Sequence, residues 1–282
     1  MAEGIGGTFA LEYGASSYSS GSGDINEFEP RDHNSWQGTA SLNYGFSSDY
    51  ILGVDLSFAD TDVPNRTGGD FTNDGVDRYW QALLSVQRDF GSNSLTAFVG
   101  RGGLRMVEGD PSDSQSDQDA DFNIYGGGFG REFGNLAVGL SISNVDPIGQ
   151  DDSEALDDFW LGNINGEYVI PNSGFSILAN VFFANGLQDY SDTQSEEVDV
   201  TGGGFEVRYT PQNTGSFGQL SYFVGFEAME LIEASDPDDD VYHERVYFGV
   251  EIPFGKKNRS RAGKVSMPPN LIWIQQAVIT VD

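Results

Sequence analysis

The chain has 282 residues, of which 38% are hydrophobic, and its mean hydropathy is −0.35. No segment approaches the run of about 20 apolar residues that a membrane helix needs, so a helical membrane protein is excluded. The formal net charge of −30 excludes a surface suited to nucleic acid, because phosphate binding requires basic residues. Cysteine is absent, which excludes disulfides and thiolate metal sites.

Hydrophobic and polar residues alternate with a period of two through most of residues 1–254, which predicts β-strands with one apolar face. Twelve strands are predicted. In chain order, their apolar faces are Phe9/Leu11/Tyr13, Trp36/Ala40/Leu42/Tyr44, Tyr50/Leu52/Val54/Leu56/Phe58, Trp80/Ala82/Leu84/Val86, Leu95/Ala97/Val99, Phe122/Ile124, Leu136/Val138/Leu140/Ile142, Trp160/Ile164/Tyr168/Ile170, Phe175/Ile177/Ala179/Val181/Phe183, Phe205/Val207/Tyr209, Leu220/Tyr222/Val224/Phe226 and Val246/Phe248/Val250/Ile252/Phe254. Glycine runs at 126–128 and 202–204 blur the sixth and tenth strands, and they are expected to permit curvature or close approach of a backbone in the lumen.

The predicted connections alternate between short and long. The short ones are turn-forming segments at 47–49, 91–93, 133–135, 171–174 and 211–215. The long ones, rich in Asp, Glu, Ser and Gly, cover about 17–35, 60–77, 107–121, 145–157, 186–198 and 231–243. This asymmetry is typical of outer-membrane barrels, which have short periplasmic turns and long extracellular loops. The sequence therefore predicts an all-β fold: a transmembrane antiparallel up-and-down barrel of about 12 strands over residues 1–254, in the bacterial outer membrane.

The polar faces of the strands are too small and hydrophilic to form a core, so we expect them to line the lumen while the apolar faces meet lipid. The predicted pore-lining residues are Glu12, Asn43, Asp55, Gln81, Asn163, Glu167, Glu206, Arg208, Glu227 and Glu251. Arg101 and Arg245 could face the same space. Acids outnumber bases in this set, which favours cations over anions. The alternative is that the charges pair and only brace a narrow interior.

The final strand resembles the C-terminal assembly signature of bacterial outer-membrane β-barrel proteins, a group that includes porin-like channels. The resemblance rests on Val246, Phe248, Val250, Ile252 and Phe254, which alternate along the strand and end on phenylalanine. It implies insertion by the barrel-assembly machinery. The signature normally ends a chain, whereas here 28 residues follow Phe254.

Residues 255–282 are predicted to be a periplasmic extension, first basic and then apolar. They hold five of the 14 basic residues and one acid, while residues 1–254 contain nine arginines, no lysine and 43 acids. The basic part suits anionic lipid headgroups or the acidic barrel. The apolar part, with Trp273, Ile274 and Val278, could dock a periplasmic protein by strand addition, fold into the lumen as a plug, or join a homo-oligomer. A disordered extension is the remaining alternative.

Two loops are dense in carboxylates that could hold Ca²⁺, through Asp113, Asp117 and Asp119 and through Asp238 and Asp240. Neither run matches an EF-hand, so a solvated, repulsive surface is the alternative. No other cofactor is expected.

An enzyme is not predicted, because the only histidines, His33 and His243, are expected at the external rim without a recognisable nucleophile.

The leading functional hypothesis is an outer-membrane channel for passive passage of small solutes, with cation preference. The first alternative is a barrel anchor or assembly component whose tail docks a periplasmic partner, and the second is an outer-membrane hydrolase. Residues 1–4 lack the features of a signal peptide, so any export signal is expected to have been removed.

Overall fold

A computed structural model describes residues 4–20, 31–46, 49–64, 74–107, 118–148, 159–191, 194–211, 220–233, 241–256 and 259–268. No helix within these ranges is long and apolar enough to cross a membrane. The elements are β1 (Gly4–Ser20), β2 (Arg31–Gly45), β3 (Tyr50–Pro64), β4 (Asp74–Phe90), β5 (Asn93–Val107), β6 (Gln118–Phe133), β7 (Leu136–Ile148), β8 (Phe159–Val169), β9 (Phe175–Ser191), β10 (Gln194–Tyr209), β11 (Ser221–Glu233), β12 (Val241–Gly255) and α1 (Arg261–Val265).

The strands form one closed antiparallel barrel in which each strand pairs with its neighbours in the chain. The barrel closes where β1 pairs with β12, in a ladder that runs from Gly6 opposite Gly255 to Ser20 opposite Val241. Closure gives every strand two hydrogen-bonded neighbours, as lipid demands, because unpaired backbone groups are very costly there. The predicted 12-strand up-and-down barrel is confirmed.

The outer surface is apolar over the middle of the strands. Leu84, Ile164 and Phe248 are 59%, 57% and 60% exposed, although each is a large hydrophobic residue. Rings lie near the strand ends on the side of the short turns: Tyr44, Tyr50, Tyr168, Phe175, Tyr209 and Phe254. An apolar band bordered by aromatic residues is the exterior of a membrane barrel. The chain is therefore built to lie in the bacterial outer membrane.

The prediction was wrong for the apolar face of the sixth strand. Phe122 and Ile124 are 6% and 0% exposed and point into the lumen, not toward lipid. On the same face of β6, Gly126, Gly128 and Gly130 follow toward the short-turn end. Because those glycines lack side chains, the alternation in the sequence did not reveal which face of β6 meets the membrane.

The strands are also longer than predicted, with 11 to 17 residues each. Only two residues separate β9 from β10, where the sequence predicted a loop over 186–198. A strand of 15 residues is about 50 Å long, more than a tilted strand needs to cross an apolar band of about 25 Å. Hairpins can continue beyond the membrane with polar residues on both faces, and alternation then no longer marks where a strand ends.

The lumen contains a cluster of buried apolar side chains, most of them toward the extracellular ends of their strands, contrary to the expectation that the inner face is polar throughout. We call it the apolar cluster; its members are Leu83, Phe98, Phe122, Ile124, Val145, Phe159, Leu161, Phe182, Ala184, Val200 and Met229. All lie on β4–β11. In the sequence, adjacent apolar pairs such as Leu83-Leu84 and Phe182-Phe183 indicate apolar residues on the inner face, because one residue of each pair faces inward and the other outward.

The lipid-facing position of Leu84 leads to a test. Leu84→Arg should lower the free energy of unfolding of the barrel in phospholipid bilayers by about 2–4 kcal/mol, as expected for a cation at mid-bilayer. Leu95→Arg is the matched control: Leu95 is 55% exposed but two residues from the start of β5. Its cost near the interface should be about 0–1 kcal/mol. Equal losses in the two variants, measured by denaturant titration, would contradict the proposed depth of the two residues.

Candidate functional site: the barrel lumen

The chain turns back into the barrel directly after its last strand. Gly255 has a φ of 68°, a left-handed conformation that favours glycine. The Lys256 amide then donates to the Ile5 carbonyl at 2.9 Å, which fixes the turn against β1. Residues 259–268 follow inside the lumen at its periplasmic end. We call them the tail segment.

Arg259 anchors the tail segment to one side of the barrel. Its guanidinium donates two hydrogen bonds of 2.9 Å to the Asp55 carboxylate on β3. It also donates to Ser85 Oγ on β4 at 2.9 Å, and the Arg259 residue is 8% exposed. A bidentate, largely desolvated pair of this kind is among the stronger polar contacts in proteins.

The single turn of helix α1 is held at the periplasmic turn between β6 and β7. Ser260 caps its N-terminus by accepting from the Gly263 amide at 3.0 Å. The Glu132 carboxylate accepts from the amides of Arg261 and Ala262 at 2.9 and 3.2 Å. The Arg261 guanidinium donates to the carbonyls of Gly134 and Asn135, which close that turn.

The end of the tail segment contacts the inner wall at β5, β7 and β8. Ser266 Oγ and Thr96 Oγ1 on β5 are 2.7 Å apart. Asn165 Nδ2 on β8 donates to the carbonyls of Val265 and Met267 at 3.4 and 3.3 Å. Ser141 on β7 donates to the Met267 carbonyl as well, at 3.3 Å.

Glycines on the inner wall make room for this backbone. A Cβ at Gly128, Gly130 or Gly139 would collide with a carbonyl oxygen of the tail segment, those of Ser266, Ala262 and Val265 respectively. Any larger residue at these positions would push the segment away from the wall. Part of the glycine run at 126–128 thus serves close backbone approach, which was one of its two expected roles.

A cavity of about 370 Å³ remains beside the tail segment. Lys264, Val265 and Pro268 of the tail segment form part of its lining. Its charged lining consists of Glu12, Glu167, Glu206, Glu227, Glu251, Arg208, Arg245 and Lys264. Five carboxylates against three cations leave an excess of two formal negative charges.

The two arginines of the cavity each lie between two carboxylates. Arg245 pairs with Glu12 on β1 and, at 3.3 Å, with Glu227 on β11. Its guanidinium carbon also lies 5.0 Å from the centroid of the Tyr247 ring. Each group of one arginine and two glutamates keeps one uncompensated negative charge.

Arg208 is placed in the same way. It pairs with Glu206 at 2.8 Å and with Glu251 at 2.9 Å. Glu167 lines the same cavity and has no ion pair within the described ranges.

The structure brings together six of the ten residues predicted to line a pore: Glu12, Glu167, Glu206, Arg208, Glu227 and Glu251 all border this cavity. Asp55 faces the lumen but pairs with Arg259. Asn43, Gln81 and Asn163 are buried on the inner face outside the cavity lining. Whether these residues line an ion path stays a prediction.

Arg101 does not face the lumen as expected; its side chain is 52% exposed and pairs with Asp121 on the outer face. Sequence reasoning missed Tyr247, although it alternates with the lipid-facing Val246 and Phe248. It also missed Thr96, Ser266 and Glu132, whose roles depend on where the tail segment lies.

His243 is the third residue of β12 and so lies near the extracellular end of the barrel, as expected, but its side chain is fully buried on the inner face, opposite Met229. His33 lies in β2, opposite Ser16.

Asp113, Asp117, Asp238 and Asp240 fall outside the described ranges, and Asp119 lies in the first residues of β6. Within the described ranges no three His, Asp or Glu residues are grouped to hold a metal. The Ca²⁺ hypothesis stays a prediction, as does the docking role of Trp273, Ile274 and Val278, which lie beyond residue 268.

The paired charges of the cavity lead to a second test. Arg245→Met leaves Glu12 and Glu227 facing each other in a confined space, and it should lower the free energy of unfolding by about 3–5 kcal/mol. Arg101→Met, which breaks an exposed pair, should cost about 0–1 kcal/mol. Adding Glu12→Gln and Glu227→Gln to Arg245→Met should restore stability. Equal losses in the two arginine variants would show that the lumen pairs are as solvated as the surface pair.

No protein-family model and no curated protein matches the chain. Several solved structures do match its fold. The COG4313 outer membrane channel from Pseudomonas putida F1 is 13% identical, with a TM-score of 0.58 over 90% of this chain and 97% of that one. A deltaS2 mutant of the monoaromatic hydrocarbon channel TodX is 8% identical, with a TM-score of 0.50 over 91% of each chain.

The translocator domain of the autotransporter NalP from Neisseria meningitidis is 9% identical, with a TM-score of 0.50 over 88% of each chain. At such identities the likeness shows the fold and no more. The chain has the fold of bacterial outer-membrane β-barrel proteins.

Proposed function

We propose that the protein is an outer-membrane channel that passes small solutes and prefers cations. The observation that carries this proposal is the cavity inside the closed barrel, whose five glutamates outnumber its three cationic side chains. An excess of carboxylates in a narrow aqueous space stabilises cations and repels anions. The arginines are each held by two glutamates, so they do not attract anions as free guanidinium groups would.

The wall of the barrel away from the apolar cluster carries polar side chains at the height of that cluster. The apolar cluster lies on β4–β11, most of it toward the extracellular end of the barrel. On the remaining wall, the buried inward residues at similar height include Ser16 on β1, Ser35 on β2, Thr61 on β3 and His243 on β12. Because these side chains are buried, a solute passes along this wall only if they move aside, and they then offer it hydrogen-bonding partners. Two structural neighbours are themselves channels, which agrees with the proposal by analogy of fold.

A second candidate is an anchor or assembly component in which the barrel does not conduct. The observation that favours it is the occupied lumen: the tail segment occupies part of the periplasmic end and the apolar cluster lies above it. In this case residues 255–282 would serve a periplasmic partner. A full-length barrel that conducts ions in a planar bilayer would contradict this candidate.

We further propose that the barrel-assembly machinery recognises β12. Phe254, one residue before the end of β12, is 47% exposed on the lipid side, where a signature residue would be accessible. Phe254→Ala should slow membrane insertion by purified assembly machinery, measured as the time course of heat-modifiable folded protein. Phe183→Ala, on the lipid face of β9, is the control. Equal insertion rates of both variants would contradict recognition of β12.

The proposed cation preference can be changed in both directions. Glu167→Gln removes a charge without breaking an ion pair, and Asn180→Asp adds one to the same cavity. The permeability ratio of K⁺ to Cl⁻ should fall in the first variant and rise in the second, each by roughly fivefold, because one charge about 8 Å away in water changes the energies of K⁺ and Cl⁻ by about 0.5 kcal/mol in opposite directions. The ratio is obtained from the reversal potential of the full-length protein in a KCl gradient.

Anion preference of the wild-type protein would contradict the proposal, and so would ratios that do not respond to either substitution. Absence of conductance in every variant, including Asp55→Asn, which weakens the contact of the barrel with Arg259 of the tail segment, would reject a channel altogether.

A further inference from the structure

We propose that the tail segment, residues 259–268, is a removable plug that closes the periplasmic end of the barrel. This inference rests on the proposed channel function, because the tail segment would regulate passage through that channel. The tail segment lies in the lumen and contacts the inner faces of seven adjacent strands, β2–β8. Its partners on these strands include Ser41, Asp55, Ser85, Thr96, Glu132, Ser141 and Asn165.

The wall is shaped to receive this segment. Gly128, Gly130 and Gly139 lie where any side chain would strike its carbonyl oxygens, and a Cβ at Gly53 would collide with the Arg259 guanidinium. Four inward positions on three strands thus lack side chains at the places where the tail segment lies. Such complementarity indicates a specific seat rather than a chance collapse of the chain end into a hole.

The contacts in this seat are of a kind that water can replace. Most are hydrogen bonds to Ser, Thr, Asn and Glu side chains, each of which contributes little net free energy because water offers the same bonds. The buried apolar side chains of α1 are limited to Ala262 and Val265, which are 1% and 6% exposed. The tail segment follows β12, so it can leave without breaking any strand pair. The apolar cluster, by contrast, belongs to the strands themselves and stays in place.

One charged contact acts as the latch of the plug. Arg259 and Asp55 form the only ion pair between the tail segment and β3 in the described ranges, and it is bidentate. The second pair, Arg261 with Glu132, is longer, at 3.6 Å, and lies at the periplasmic turn. Weakening the Arg259–Asp55 pair should therefore shift the plug toward release more than any other single change.

A disulfide tests whether the plug closes the channel. The chain has no cysteine, so Thr96→Cys with Ser266→Cys introduces one thiol pair at positions whose hydroxyl oxygens are 2.7 Å apart. Oxidation should crosslink the tail segment to β5, seen as a mobility shift on denaturing gels. In planar bilayers the oxidised protein should be closed, and a reductant should raise its conductance to the wild-type level. The single variant Thr96→Cys is the control and should not respond.

The latch is tested with Asp55→Asn in the full-length chain. Loss of a charge-assisted contact should raise the open probability by about tenfold or more. Asp60→Asn is the matched control: it breaks the exposed Arg78–Asp60 pair, away from the tail segment, and should leave the open probability unchanged. The charge swap Asp55→Arg with Arg259→Asp should close the channel again.

Each other result has a defined meaning. If the disulfide does not form, the proposed seat of the plug is wrong. If it forms and the conductance of an active channel is the same before and after reduction, the tail segment is a fixed brace and not a plug. If it forms but no variant conducts, including Asp55→Asn, the channel function itself fails while the seat of the tail segment stands.

Discussion

The requirement that every backbone N–H and C=O in a bilayer be hydrogen-bonded governs the rest of this structure. The ladder between β1 and β12 meets it by joining the two ends of the sheet. Once the barrel is closed, alternate residues must face either lipid or a common lumen. The same ladder brings Glu12 of β1 beside Arg245 of β12, so the charges of the cavity depend directly on closure. Closure also places the end of β12, and hence the entry of the tail segment, at the rim of the lumen.

The inward side chains of this 12-strand barrel do not fill its lumen evenly. The protein fills the lumen in two ways. From the middle of the barrel toward its extracellular end, large apolar side chains of β4–β11 pack against one another. In the periplasmic half, the inner wall carries glycine and small polar residues, and the tail segment occupies the volume that they leave. The charged cavity lies beside this segment and is partly lined by it. The shape of the cavity and the position of the tail segment are therefore coupled by geometry, since Lys264, Val265 and Pro268 are part of the cavity lining.

The charge distribution of the sequence has a physical role in this arrangement. The barrel is strongly acidic, and the basic residues of the chain end include Arg259 and Arg261, which meet Asp55 and Glu132 inside the rim. A basic segment is attracted to the mouth of an acidic barrel before any specific contact forms. Specificity then comes from the bidentate Arg259–Asp55 geometry and from the glycines that admit the backbone.

The sequence by itself determined the barrel, the order of its strands and the side of the short turns, because a period of two and turn residues such as Gly134-Asn135 are local properties. It also determined which charges face inward on most strands, including Glu12, Glu206 and Arg208, since alternation assigns a face without knowledge of neighbours. Only the tertiary structure decided that Phe122 and Ile124 face inward, because the glycines beside them erase the pattern. It also decided where the tail segment lies, since contacts between residues 100 or more positions apart, such as Asn165 with Val265, leave no periodic trace in the chain.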